Sequence, residues 1–199
     1  MVDRSRRAAR LQALAVGLGV VPLTLLGVAA FEDRLGANPI ETITHTTGEW
    51  ALRFLLVCLA VTPARRWLGL SWLAPLRRTF GLLAFTYATL HLSTWVVLDW
   101  FFDLEAMLED VAERRYITAG MAAYLLLVPL AVTSTRGWIR RLGRRWLTLH
   151  RVVYAAAALA VLHYAWLVKA DLLPPLLHAG VLATLLALRL RRTGASVPG

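Results

Sequence analysis

Six stretches of apolar residues divide the chain, near 11–31, 47–63, 79–98, 117–134, 149–168 and 172–190. A helix needs about 20 residues to cross the hydrocarbon of a bilayer, so each run is read as a membrane span, the second and sixth being the shortest on signal. The polar segments between them alternate in charge. The N-terminus, 64–78, 135–148 and the tail hold 16 of the 22 basic residues and one acid, Asp3. Segments 32–46 and 99–116 instead carry Glu32, Asp33, Glu41, Asp99, Asp103, Glu105, Glu109, Asp110 and Glu113. Arginine-rich connections stay cytoplasmic, which puts both termini inside and the acidic loops on the outer face. The expected fold is an all-α, six-transmembrane-helix bundle: residues 1–10 form a cytoplasmic N-terminus, 11–190 the membrane domain, and 191–199 a cytoplasmic tail.

Composition agrees with this pattern and closes off other classes. The chain is 58% hydrophobic with mean hydropathy +0.59, too apolar for a soluble domain of 199 residues. The net charge of +10 sits in blocks between spans, as topology and not as a nucleic-acid-binding stripe. Cys58 is the single cysteine, so no intramolecular disulfide and no cysteine cluster for zinc or iron–sulfur is available. The first run has basic residues before it and small residues after it, as a signal peptide would. Its apolar core is longer than the 7–15 residues such peptides use, and it is read as a retained helix. No internal repeat is evident.

Ionisable groups at membrane depth call for a functional explanation. The third run holds His91 and the fifth holds His150 and His163. These two spans run in the same direction, and His91 and His163 lie at matched depth toward the outer face. Imidazole is a common axial ligand of haem iron, so the pair is expected to clamp one haem between spans three and five. His150 precedes His163 by 13 residues, roughly 20 Å along a helix, and belongs near the inner face. Thirteen residues is not a whole number of turns, so an irregularity in the fifth span is required if both histidines face one way. A partner for His150 would be needed about 14 residues before His91, where Arg77 stands. Arginine stays protonated and is a poor metal ligand. One outer haem is therefore expected and an inner one is left open.

The remaining candidates are arginines and two further histidines. Arg77 suits a haem propionate or a flavin phosphate through bidentate charge-assisted bonds, or it is a plain topology arginine. Arg78 and Arg151, its neighbours at the inner positions, join it as candidate cofactor-binding residues. Arg53, near the outer end of the second span, pairs either with Glu49 one turn away or with an outer propionate. His45 is read as a loop residue that hydrogen-bonds or meets a partner, and His178 as a spare donor near the outer haem. The tryptophans, Trp95 and Trp100 among them, are read as the aromatic belt.

NPIETITHTTGEWAL before the second span, TPARRWLGL after it, Arg77–Arg78 leading to His91, and LGRRWLTLHRVVY followed by LHY form a specific combination. Over essentially its whole length the chain resembles the MsrQ (YedZ) family, the haem-binding membrane subunit of the bacterial periplasmic protein-methionine-sulfoxide reductase system. That family is similar in its core to ferric reductases and NADPH oxidases, which hold two haems on paired histidines of helices three and five. His91, His150 and His163 match three of those four positions, and Arg77 falls at the fourth. The resemblance implies a b-type cytochrome of the bacterial inner membrane. It would relay electrons from the quinone pool or a cytosolic flavin reductase to a periplasmic molybdopterin-containing methionine sulfoxide reductase. Reduction of the sulfoxide would then occur in that separate subunit. It also implies flavin mononucleotide (FMN), for which the chain shows no motif. Only seven residues follow Arg192, so the cytoplasmic electron source is expected to be a separate molecule.

Two other readings remain. The same cytochrome could serve another periplasmic acceptor or reduce metal ions. A proton-coupled transporter, with the histidines as a relay, would be colourless.

Overall fold

The computed structural model describes residues 2–168 and 170–190. Every regular element among them is helical: α1 (Val2–Phe31), α2 (Pro39–Trp67), α3 (Leu76–Thr94), α4 (Leu104–Glu113), α5 (Arg115–Val132), α6 (Arg136–Leu142), α7 (Arg144–Leu149), α8 (Val153–Leu167) and α9 (Leu173–Leu190). Backbone groups in lipid must be satisfied within the segment, and this is why apolar runs of this length become helices. Five stretches are long and apolar enough to cross a membrane: α1, α2, α3 with its flanking turns, α5, and α7 continuing into α8. The sixth expected run forms α9, a shorter apolar helix. The chain is a multi-pass membrane protein. The expected tail, 191–199, lies outside the described residues.

Three departures from the sequence reading matter for the site. First, α2 begins at Pro39, well before the expected start at 47. Asn38 caps it, its side-chain oxygen accepting from the Glu41 backbone N–H at 3.3 Å while its amide donates to the Glu41 carboxylate at 3.0 Å. Proline at the first helical position completes a strong start signal, so His45 lies on a helix and not in a loop. Second, the acidic 99–116 segment contains α4. Its N-cap is Asp103, which accepts from the Ala106 N–H at 3.1 Å. Third, the expected continuous helix over 149–168 is broken by a 3₁₀ turn at His150–Val152, between α7 and α8.

Two antiparallel hairpins make up the body of the bundle: α2 packs along α3, and α5 along α8. Ala156 and Ala157 are fully buried on α8, and Ala84 nearly so on α3. Small side chains at these contacts let membrane helices approach closely. The flanking helices are tied on by polar groups. The Tyr87 hydroxyl donates to the Gly19 carbonyl of α1 at 2.6 Å, and Gly19 itself faces Leu83, whose side chain would lie 2.7 Å from an added Cβ. On α9, Arg189 donates to the Leu59 carbonyl at 2.7 Å and to the Tyr154 hydroxyl.

Candidate functional site

A cavity of about 540 Å³ opens between the two hairpins toward the side of the acidic segments. Its deep end is apolar, lined by Leu52, Leu55, Leu127 and Ala160, and its mouth is polar, with Asn38, Glu41, Asp110 and Arg114. The volume lies within the usual range for a bound small molecule. His91 from α3 and His163 from α8 face each other across it, ring centres 6.0 Å apart and planes at 77°.

The tautomer of each ring follows from its partner. His91 Nδ1 lies 2.9 Å from the Thr44 carbonyl of α2, and His163 Nδ1 lies 2.6 Å from the Tyr116 carbonyl of α5. A carbonyl only accepts, so both Nδ1 atoms carry the proton and donate it. Each Nε2 is left with its lone pair, the arrangement of a metal-ligating histidine oriented by its second hydrogen bond. With metal–imidazole bonds of about 2 Å, two rings on opposite sides of one metal have centres roughly 6.3 Å apart. The observed 6.0 Å fits this. Among the described residues no group of three or more His, Cys, Asp or Glu could hold a bare metal ion. A macrocycle such as haem would supply the ligands that a pair of imidazoles lacks.

The two halves of the site repeat one design. In each hairpin the accepting carbonyl precedes its histidine by 47 residues. A glycine follows that carbonyl by one helical turn and makes room for the ring. A Cβ on Gly48 would lie 2.9 Å from His91 Nδ1, and one on Gly120 would lie 2.7 Å from His163 Nδ1. The surrounding side chains differ, which hides this repeat from a reading of the sequence.

The ferric reductase like transmembrane component family matches residues 47–161, a stretch that includes most of α2 and runs to just before His163. Over 174 residues the chain is 57% identical to the protein-methionine-sulfoxide reductase heme-binding subunit MsrQ of Rhodospirillum rubrum, covering 86% of this chain and 83% of that one. It is 49% identical to the MsrQ of Herminiimonas arsenicoxydans over 173 residues, covering 85% and 79% respectively. The MsrQ of Xanthomonas euvesicatoria is 45% identical over 195 residues, covering 95% and 89%. The chain belongs to the MsrQ family. No solved structure matches it.

Within this MsrQ-family chain the other sequence candidates fall outside the facing pair. His150 is stacked on Trp146, with ring centres 3.9 Å apart, and its Nε2 lies 3.1 Å from the Thr133 hydroxyl. That hydroxyl already donates to the Pro129 carbonyl at 2.6 Å, so it accepts from His150 Nε2–H. His150 is thus held in the opposite tautomer to the facing pair. Arg77 gives its backbone carbonyl to the Cys58 thiol at 3.2 Å, while Arg78 and Arg151 are exposed. Arg53 pairs with Glu49 and lies over the Trp50 ring at 5.0 Å. His178 Nδ1 bonds the Pro174 carbonyl one turn back at 2.7 Å, and His45 lines the cavity mouth.

The sequence reading missed a cluster at that mouth. Asp110 is 5% exposed, and its Oδ2 accepts from the indole N–H groups of Trp95 at 3.1 Å and Trp100 at 3.2 Å. Its Oδ1 pairs with Arg114 Nε at 2.7 Å. Trp95 and Trp100 therefore have assigned partners and are not only belt residues. A π-helical turn, Trp95–Asp99, extends α3 to bring them there, followed by a tight reversal in which Phe101 and Phe102 adopt φ of 47° and 65°. Such turns cluster at functional sites. Arg114 also donates to the Tyr116 hydroxyl at 3.2 Å. That bond, with the nearby acids, raises the Arg114 pKa above its usual value, so the group is a fixed cation.

Proposed function

We propose that this chain is a b-type cytochrome subunit of a methionine sulfoxide reductase system, with His91 and His163 as the axial ligands of one haem. The observation that carries this is the facing pair of imidazoles, ring centres 6.0 Å apart, each with Nδ1 committed to a carbonyl and Nε2 left with its lone pair. A haem so held supplies one-electron transfer, and ligation on both faces leaves no open position for substrate. Thr44 and Tyr116 orient the ligands, Gly48 and Gly120 give them room, and Leu52, Leu55 and Leu127 keep water from the deep end of the cavity. The relatives' names, as heme-binding subunits of a protein-methionine-sulfoxide reductase, support the pairing with a separate catalytic subunit.

The finer reading is as follows. The protein sits in the bacterial inner membrane with both termini cytoplasmic, and residues 11–190 form its membrane domain. Electrons come from the quinone pool or a cytosolic flavin reductase. They leave toward a periplasmic molybdenum-containing reductase that docks on the acidic 32–46 and 99–116 segments. The cavity mouth on the side of those acids supports an outer-face exit. Absorption spectra of the detergent-purified protein, oxidised and dithionite-reduced, with a pyridine haemochrome count, test the assignment. Sharp b-type bands at about one haem per chain are expected. A colourless protein after expression with haem supplied would overturn it.

A further inference from the structure

The cavity is amphipathic along its depth, and this sets which way round an amphipathic macrocycle can enter. Haem is apolar except for two carboxylates, and burying an unpaired carboxylate in the deep end is strongly unfavourable. Its carboxylates must therefore point to the mouth, where the lining also holds four acids: Glu41, Glu49, Asp99 and Asp110. Arg114 is the one arginine among the described lining residues. Arg53, the sequence candidate for this role, is turned to Glu49 and Trp50 instead.

We infer that Arg114 is the cationic anchor for a haem carboxylate, and that Asp110 and Tyr116 are its positioning residues. The inference rests on the bis-histidine haem reading. A guanidinium has five N–H donors; Asp110 takes the one on Nε and Tyr116 takes one on a terminal nitrogen. Three remain for an incoming carboxylate. The Asp110 charge is itself neutralised by two indole N–H groups and Arg114 Nε, so it does not repel that carboxylate at full strength. Arg114 and Tyr116, at the start of α5, tie the anchor to the histidine. The Tyr116 hydroxyl accepts from Arg114 while the Tyr116 carbonyl accepts from His163, so anchor and axial ligand are held by one residue.

The test compares haem with its dimethyl ester, which has the same ring and iron but no carboxylate charge. Both are titrated into the full-length protein, prepared under haem-limited expression and held in detergent. Wild type is expected to bind haem about tenfold or more tightly than the ester, the worth of one charge-assisted bond. R114Q is expected to abolish that preference, so that haem and the ester bind with equal affinity, whatever the change in ester affinity itself. R114Q keeping the full wild-type preference for haem would overturn the inference. Should R114Q bind neither compound, R114K decides: a retained preference for haem supports the anchor, and equal binding overturns it. A wild-type protein that binds neither compound, or an H91A protein that binds both as wild type does, would instead sink the underlying haem reading.

Discussion

Replacing Gly120 with alanine drives a methyl group into the imidazole of His163. The new Cβ would lie 2.7 Å from Nδ1, 3.0 Å from Cε1 and 3.2 Å from Cγ. Ordinary contact begins at 3.4 Å, so the ring or the α5 backbone must retreat by about 0.7 Å (3.4 minus 2.7). A site constellation tolerates only about 0.5 Å of displacement. The retreat also stretches the bond to the Tyr116 carbonyl, now 2.6 Å, that fixes the tautomer. Loss of such an outer bond typically costs about 10–100-fold in metal affinity. At Gly48 the same arithmetic gives about 0.5 Å (3.4 minus 2.9), so G48A is expected to weaken binding less than G120A. Gly17 on α1 has no atom within 4 Å of its added Cβ, and G17A serves as the harmless control. The assay is haem titration followed by optical spectra of each variant in detergent. G120A binding haem with wild-type affinity and an unshifted bis-imidazole spectrum would refute the claim that the glycine exists to seat the ring.

Three further outcomes follow from the same coordinates. His91→Ala or His163→Ala abolishes the b-type bands, and His150→Ala keeps them, because His150 is bonded to Thr133 and stacked on Trp146 away from the facing pair; a haemochrome count on each variant checks this. Asp110→Ala strands two indole N–H groups and is expected to destabilise the end of the bundle that carries α4 by about 1–3 kcal/mol, seen as earlier proteolysis within 99–116 at unchanged cleavage elsewhere. Cys58 is 6% exposed and bonded to the Arg77 carbonyl, so a maleimide should label it only after denaturation; fast labelling of the folded protein would contradict the packing of α2 on α3.

The helical bundle and the facing histidines were legible because their causes are local or additive. A lipid-soluble run has only one way to satisfy its backbone, and depth along two co-directional helices can be counted. Residues whose meaning lies in a distant partner were not legible. Gly48 and Gly120 look like ordinary membrane-helix glycines until the rings 43 residues further on are placed against them. Asp110 is one acid among many in an acidic segment, and nothing nearby shows that two indoles and an arginine converge on it. Its helix, α4, was hidden in the same way, because charge was read for topology and not for capping at Asp103. The start of α2 is different. Asn38, Pro39 and Glu41 carried a complete capping signal that hydropathy alone overlooked.

The division of the site between two hairpins has a consequence for how the protein is made. Half of the clamp is encoded by residues 44–91 and the other half by 116–163, and neither half closes the cavity alone. A ribosome delivering the chain from its N-terminus completes the second half only when α8 has left the exit tunnel. On the proposed haem reading, cofactor capture then comes only after insertion of both hairpins, and colour becomes a readout of correct assembly. On that reading a chain that stalls or misinserts in its second half would stay pale, because the second histidine of the clamp is never delivered.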